Sequence, residues 1–493
     1  MTGFHTGMVE LAADEIEVAA QRLLGLSTAE VPLEAQRRLR TSTSDGKAPP
    51  CIVIHSATPV LRNLQGDLDK YAHTGVAEDT ATYMETRAVT LAEPGDLVVG
   101  RTEPWLAAAR EAGVEAVVVP GEEYYYLSQA LLQTMVRSGP EAPAVRRLAD
   151  ALEAVPGTEI KLYSLDLELQ IALLYLRRLA GIEVIYTDAN SPEVSSYWNT
   201  KAPIYPRAWD AAIVDAADEP GLAPMRRRLG LDYERLPGYA FDAAQPEELL
   251  LSARLMRERH LLDRACIKAS RGGGGARIVI GFDITDEAAL RRFAEEHRDF
   301  DELFIMEENV SYDTVAVGGQ RVPVAPSAHI RHGGLADGVT LQLTQGTNWQ
   351  GNVYLDRDGW IGLGLNARIY DSVRDTVARL KEALGAQLVT GGVDFAVAKG
   401  IAALQDPNLS SHGAEYLRRY VDRTGVPYAA TKVFRPSIEA DLRTLRAVPH
   451  PGAEVVSTVP GNWGMLAAGG ASPDEAVSRV MAFERELVSR WLA

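Results

Sequence analysis

The hydrophobic pattern of the first part of the chain is a series of short apolar runs: CIVIHS, DLVVG, VEAVVVPG, IKLYSL and IEVIYTD. Each is continuous and rich in β-branched residues, and Ala/Leu/Arg-rich helical segments separate some of them. A strand that is apolar on both faces is buried on both, which is the habit of parallel strands covered by helices. The pattern predicts an open α/β domain over residues 46–195. Ahead of it, residues 9–40 read as one or two amphipathic helices within an N-terminal segment, 1–45. Residues 42–50, polar and ending in a Pro pair, read as a linker.

A second alternating block begins near Cys266. CIKAS is strand-like, RGGGGA is a loop, RIVIGF is strand-like again, a helix starts after Thr285 and runs to about His297, and ELFIME is the next strand. Sheet-like alternation continues through TVAV, VPVAPSAHI, QLTQG and NVYLD. A helix from Asp371 stops at Gly385. VDFAVA and IAALQD then form a hairpin about Lys399 and Gly400. Ser472 and Glu475 frame a capping box for a last helix reaching Trp491. The expected divisions are 196–317 and 318–440 for two α+β subdomains and 441–493 for a C-terminal extension, which closes over the acceptor site or builds a homodimer.

At 493 residues the chain exceeds one hydrophobic core, and 46% hydrophobic with 24% charged residues is ordinary globular composition. No apolar run is long enough to span a bilayer and no signal pattern opens the sequence, so no membrane partner is expected. Two cysteines, Cys51 and Cys266, exclude a disulfide framework and make the cytoplasm the expected compartment. A formal charge of −17 repels a phosphate backbone and argues against nucleic acid as partner. It leaves nucleotides open, because local lysines and a bound metal set the field inside a cleft.

Gly272, Gly273, Gly274 and Gly275 each lose backbone entropy on folding and need a reason. One reason is close approach of backbone N–H groups to phosphate; the other is a slack hairpin turn. The loop lies between two strands, which fits neither G-x-x-x-x-G-K-[ST] nor G-x-G-x-x-G opening a helix. Lys268, in the strand before it, sends an ammonium toward the same phosphates. Downstream, Glu307, Glu308 and Asp313 are placed to accept from a nucleotide's amine and hydroxyls, and the backbone of residues 306–310, ending at Val310, to read an adenine edge. Acids at a strand end are otherwise usually solvated. In the hairpin GGVDFAVAKGIAALQDPNLSSHG, Asp406 and Asn408 are two apart and share a face, and Asp394 joins them across the turn. Carboxylate and amide oxygens with room for phosphates are the magnesium pattern.

In this order and spacing, these pieces resemble the ATP-grasp superfamily over residues 196–440. The resemblance implies two subdomains that clamp ATP and Mg2+, with Asp406-Pro407-Asn408 as the end of the metal motif. It also implies a second phosphate lysine upstream, for which Lys201 is the candidate. The phrase AEPGDLVVGRTEP followed by VEAVVVPG is similar to the domain that precedes the clamp in pheganomycin-type peptide ligases. Such a domain contributes to the acceptor or acyl-substrate site. The sequence departs from the family just before Asp394, where an arginine often stands and Gly391, Gly392 and Val393 are found. Arg331 and Arg368 are the substitutes considered for stabilising an acyl phosphate. Ser411, in the loop after Asn408, is a candidate for an oxyanion or phosphate cradle, against a satisfied turn. Zinc on His329, His332 and His412 has no supporting spacing.

The expected activity is an ATP-dependent carboxylate–amine ligase of amino-acid or peptide-like substrates, passing through an acyl phosphate and releasing ADP and phosphate. The alternatives are an ATP-grasp kinase with a non-carboxylate acceptor and a non-catalytic nucleotide-binding protein.

Overall fold

The five apolar runs become the strands Ile52–Ile54, Leu97–Gly100, Glu115–Val118, Glu159–Leu162 and Ile185–Thr187 of one parallel sheet. The computed structural model describes residues 9–42, 50–56, 80–271, 277–300, 302–346, 348–435, 440, 442–459 and 463–491. Gly272, Gly273, Gly274 and Gly275 lie outside them. In the sheet Ile52 and Ile54 enter one apolar core with Leu131 and Leu173, while Val53 enters another with Ala88 and Trp105, so both faces are covered. The segment expected as separate helices joins this domain. Helices Ala13–Leu24 and Val31–Arg38 pack on helix Leu167–Leu179, and Leu39–Thr41 adds an edge strand beside Ile185–Thr187. From the central strand Ile52–Ile54 the chain steps outward through Leu97–Gly100 to Glu115–Val118. It then returns to the other side of the centre at Glu159–Leu162. The topological switch point therefore lies between Ile52–Ile54 and Glu159–Leu162.

The second block forms a four-stranded antiparallel sheet in the order Gly238–Asp242, Leu303–Glu308, Arg264–Ala269, Ile278–Asp283. Helices Pro246–His260 and Glu287–His297 are amphipathic and cover it, with Phe241, Phe293 and Phe304 in mutual ring contact. A larger antiparallel sheet follows. It runs from Ile401–Asn408 and Gly391–Ala398 through Pro326–Arg331, Val339–Gln345, Asn348–Leu355 and Tyr428–Phe434 to Trp463–Gly470 and Ala453–Val459. Strands Ala453–Val459 and Trp463–Gly470 are thus part of the large sheet, and helix Pro473–Trp491 packs on it, burying Val477, Val480, Phe483 and Leu487 in its core. The capping box forms in part: Glu475 N–H donates to Ser472 Oγ (3.2 Å), while the Glu475 carboxylate accepts from Ala471 N–H (2.7 Å). The architecture is an open α/β domain followed by a two-subdomain α+β clamp.

Asn190 fastens the parallel domain to the large sheet. Its amide donates to the carbonyls of Thr390 (2.7 Å) and Leu409 (2.8 Å) and accepts from the N–H groups of Val389 (2.6 Å) and Thr390 (3.0 Å). These are the residues flanking the hairpin that carries Asp394 and Asp406. Among the described residues no helix is long and apolar enough to cross a membrane, and neither Cys51 nor Cys266 is in a disulfide.

Candidate active site

Two lysine–carboxylate pairs lie where the small sheet borders the large one: Lys268 with Glu307 inside the small sheet, and Lys201 with Asp406 across to the large one. Lys268 stands in strand Arg264–Ala269 and is buried. Its Nζ is 2.9 Å from Glu307 Oε2 on the neighbouring strand Leu303–Glu308. Glu307 also accepts from the Tyr205 hydroxyl and, at 3.4 Å, from Gln405 Nε2. Lys201 arrives from well upstream because the backbone beside it is fastened to the end of the same strand. Lys201 N–H donates to Ser270 O (3.0 Å) and Ala202 N–H to Ser270 Oγ (2.9 Å). Its ammonium is 2.7 Å from Asp406 Oδ2. The long sequence interval between the two lysines is closed by these bonds.

Asp394 and Asp406 are direct cross-strand partners, and Gly392 stands opposite Asn408. The register shifts after Asp394, leaving Gln405 as the extra residue of a bulge, which re-aims the strand end. Asn408 Nδ2 donates to Asp394 Oδ2 (2.7 Å) and Ser327 Oγ donates to Asp394 Oδ1. Burial, reinforced by the Asp406 charge, pushes the Asp394 carboxyl up to about 8, against the hydrogen bonds of Gln342 and Asn408 and the charge of Lys201. Two carboxylates side by side with one ammonium between them lack positive charge. Their oxygens, with the Asn408 amide, are the hard donors a divalent cation takes, so the residues fit Mg2+. A site built from three or more His, Cys, Asp or Glu side chains is absent among the described residues. The trio qualifies only through its asparagine.

The other expected site residues are placed as follows. Glu308 lies at the strand end with Lys399 Nζ 3.6 Å away, and Val310 follows in the partly buried connection. Asp313 caps the hairpin turn, accepting from the N–H groups of Lys399 (3.2 Å) and Gly400 (2.9 Å). Arg331 is clamped by Glu415 (2.8 Å) and Asp422 (2.8 Å). Arg368 is exposed at the start of helix Ala367–Leu384, with no side-chain bond to the lysine–carboxylate cluster among the described residues. Ser411 accepts from Arg87 Nη2 (3.3 Å), a residue of the parallel domain.

The missing arginine before Asp394 has a packing cause. A Cβ on Gly392 would lie 3.0 Å from His329 Nδ1 and 3.3 Å from His412 Cδ2, and one on Gly391 would lie 2.8 Å from Leu409 Cα. His329 and His412 stack with centroids 4.5 Å apart. Ala414 N–H donates to His412 Nδ1 (3.2 Å), which assigns the proton to Nε2 for donation to His329 Nδ1 (3.0 Å). His329 Nε2–H then donates to Thr340 Oγ1 (2.8 Å). Burial holds both rings neutral, His412 down to about 4 and His329 well below its ordinary value. With their ring nitrogens engaged in this chain, the rings form a wall and offer no zinc site.

Tyr205, Gln405, Ser327, Asn190 and Arg87 escaped the sequence reading. Gln405 alone carried a signal, as a polar residue next to Asp406 that breaks the alternation of its strand.

No protein-family model and no curated protein matches this chain. Among solved structures it is similar to the N5-carboxyaminoimidazole ribonucleotide synthetase from Thermus thermophilus, at 14% identity over 82% of this chain and 95% of that one, with a TM-score of 0.46. It is also similar to the ADP complex of another N5-carboxyaminoimidazole ribonucleotide synthetase (12% identity, 82% and 93% coverage, TM-score 0.49). A third is the biotin carboxylase domain of the Hydrogenobacter thermophilus 2-oxoglutarate carboxylase, solved with MgADP, ADP and bicarbonate (12% identity, 83% and 88% coverage, TM-score 0.46). At this distance the geometry of the site itself has to carry the functional argument.

Proposed function

We propose that this chain, built on the ATP-grasp fold, is an ATP-dependent carboxylate–amine ligase. The reading rests on the meeting of Lys201 and Lys268 from one side of a seam with Asp394, Asp406 and Asn408 from the other. Lysines there serve phosphates, and Asp394, Asp406 and Asn408 would hold Mg2+. When bound, the ion neutralises charge on the phosphoryl group in transit. Lys201, paired with Asp406 in this structure, would be free to reach a phosphate oxygen were that carboxylate engaged by the ion.

The chemistry has two steps. A carboxylate oxygen of the substrate attacks the γ-phosphorus, ADP departs with the bond's electron pair, and an acyl phosphate forms. The amine nitrogen of the second substrate then attacks the acyl carbon, the C–N bond forms, phosphate leaves, and the amine's proton passes to solvent. The chain contributes positioning and charge neutralisation. Small carboxylates and amines of amino-acid or peptide-like character suit a cleft at the junction of three sheets.

The experiment is to mix the protein with Mg-ATP and pools of carboxylates and amines, and to follow nucleotides and condensed products by mass spectrometry. ADP and phosphate should appear only with a productive pair, and oxygen-18 from the carboxylate should be found in the phosphate. Release of AMP and pyrophosphate, or ADP release with no oxygen-18 in phosphate, overturns the assignment.

A further inference from the structure

The carboxyl edge of the parallel sheet faces the loop that leaves the metal-binding hairpin. Strands Ile52–Ile54 and Glu159–Leu162 pair with Ile54 opposite Leu162, so His55 and Ser56 emerge beside Tyr163 and Ser164 at the switch point. In open parallel sheets ligands settle in the crevice outside the strand ends at that point. Helix Thr80–Leu91 borders this edge, held by its buried Glu85. That carboxylate accepts from Arg101 N–H (2.8 Å), Arg101 Nε (2.9 Å) and Thr102 N–H (3.0 Å). The next turn presents Arg87, whose guanidinium lies 5.6 Å from the Tyr163 ring centre and 5.9 Å from that of Tyr416 in the large subdomain. It donates to Ser411.

Around Arg87 the polar side chains are not used up. His55, Thr86 and Ser164 are at most 4% exposed, and His55 Nδ1, Thr86 Oγ1 and Ser164 Oγ have no hydrogen-bond partner among the described residues. Each such buried atom is costly to leave unpaired, which favours a ligand that pairs with it. Tyr163 and Ser411, which both contact Arg87, remain partly exposed. Burial, and after it the charges of Arg87, Lys161 and Arg419, hold His55 well below its ordinary value, so the ring stays neutral and can turn an N–H toward an anion. Lys161 and Arg419 are themselves tied to Asp96 (3.8 Å) and Glu93.

We infer that this crevice binds an anionic substituent of the second substrate, a carboxylate or phosphate, with Arg87 as its anchor and His55 and Ser164 as neutral donors. The proposal rests on the ligase reading for its meaning, since it sets the acceptor beside Ser411, three residues after the metal-binding Asn408. It restricts the acceptor to compounds carrying a negative group away from the reacting amine.

The test uses the full chain labelled with 15N-histidine, titrated separately with succinate and with phenyl phosphate while the His55 ring signals are followed. A saturable shift is expected with one or both probes, and the probe that saturates at lower concentration tells carboxylate from phosphate. Arg87→Met should weaken that binding about tenfold or more. Ser164→Ala, a small change that spares the fold, should weaken it severalfold. Absence of a saturable shift with both probes, or a shift indifferent to both variants, overturns the proposal. ATP binding by calorimetry separates the two readings. ATP binding without anion binding removes the crevice alone, whereas anion binding without ATP binding removes the nucleotide assignment alone.

Discussion

The two lysine–carboxylate pairs of the cleft look alike and are built differently. Lys268 and Glu307 stand on adjacent strands of the same small sheet, at 5% and 4% side-chain exposure. Lys201 stands outside any strand, at the start of the turn Ala202–Ile204, whereas Asp406 lies in a strand of the large sheet and keeps 21% of its exposure. The first pair is a fixed part of one subdomain, with Tyr205 and Gln405 filling out the carboxylate. The second crosses the seam and engages a proposed metal ligand, so under the proposed ligase reading it opens when nucleotide and metal bind. Burial costs a charge its hydration, and what a missing partner then costs depends on how much water remains. One pair is a fixture and the other a latch.

The largest effect should come from breaking the fixture. Lys268→Ala leaves Glu307 charged and buried, and should cost about 3–5 kcal/mol of stability in urea unfolding, besides abolishing turnover. Replacing both partners, Lys268→Met with Glu307→Gln, should recover most of the stability and none of the activity. Lys201→Ala leaves Asp406 partly hydrated and should cost only about 1 kcal/mol or less. Equal losses from the two lysine variants would erase the distinction between the pairs.

The parallel sheet was readable because its runs are apolar on both faces, and a composition that satisfies two cores at once has few other uses. Leu39–Thr41 was not, since three residues, Leu-Arg-Thr, show no period and follow a helix without a stop. The hairpin carrying Asp394, Asp406 and Asn408 was legible as a cluster. Its bulge at Gln405 was not, because the register there is set by pairing with the neighbouring strand. The union of Lys201 with Lys268 hangs on two hydrogen bonds that Ser270 accepts from the N–H groups of Lys201 and Ala202, and nothing local to Lys201 announces them. Arg87 was invisible for the same reason: its meaning comes from Tyr163 and Tyr416, which lie far apart in sequence. The turn that Asp313 caps was not legible either, because an acid near a strand end serves a turn as readily as a ligand.

A smaller effect separates the carboxylate side of the cleft from the lysine side through pH. The Asp394 carboxyl, at about 8 in the fold, sits far above its ordinary value, mainly through burial and then through Asp406. A folded-state value above the unfolded one means the folded protein holds the proton longer. Stability of the metal-free protein should therefore fall as pH rises from about 4 to about 8 and level off above, by about 1–3 kcal/mol in all. Asp394→Asn should flatten that slope, and saturating Mg2+ with ATP should do the same in the wild type. A slope unchanged in Asp394→Asn would place the missing positive charge elsewhere.

The smallest effect falls on Asp313, which tests where the cleft ends. Its carboxylate holds two N–H groups at a turn where Lys399 has φ 54° and Gly400 φ 74°. A non-glycine residue in the left-handed region is strained, so the turn depends on bonds that compensate. Asp313→Ala should cost about 1 kcal/mol of stability, as lost capping bonds do, and leave ATP affinity within about twofold. The hairpin it steadies carries Asp394 and Asp406, so activity should fall modestly through kcat with KM for ATP unmoved. A large rise in KM for ATP with unaltered stability would instead give Asp313 to the nucleotide, and the latch would then extend beyond Lys201 and Asp406 to the strand that follows Glu307.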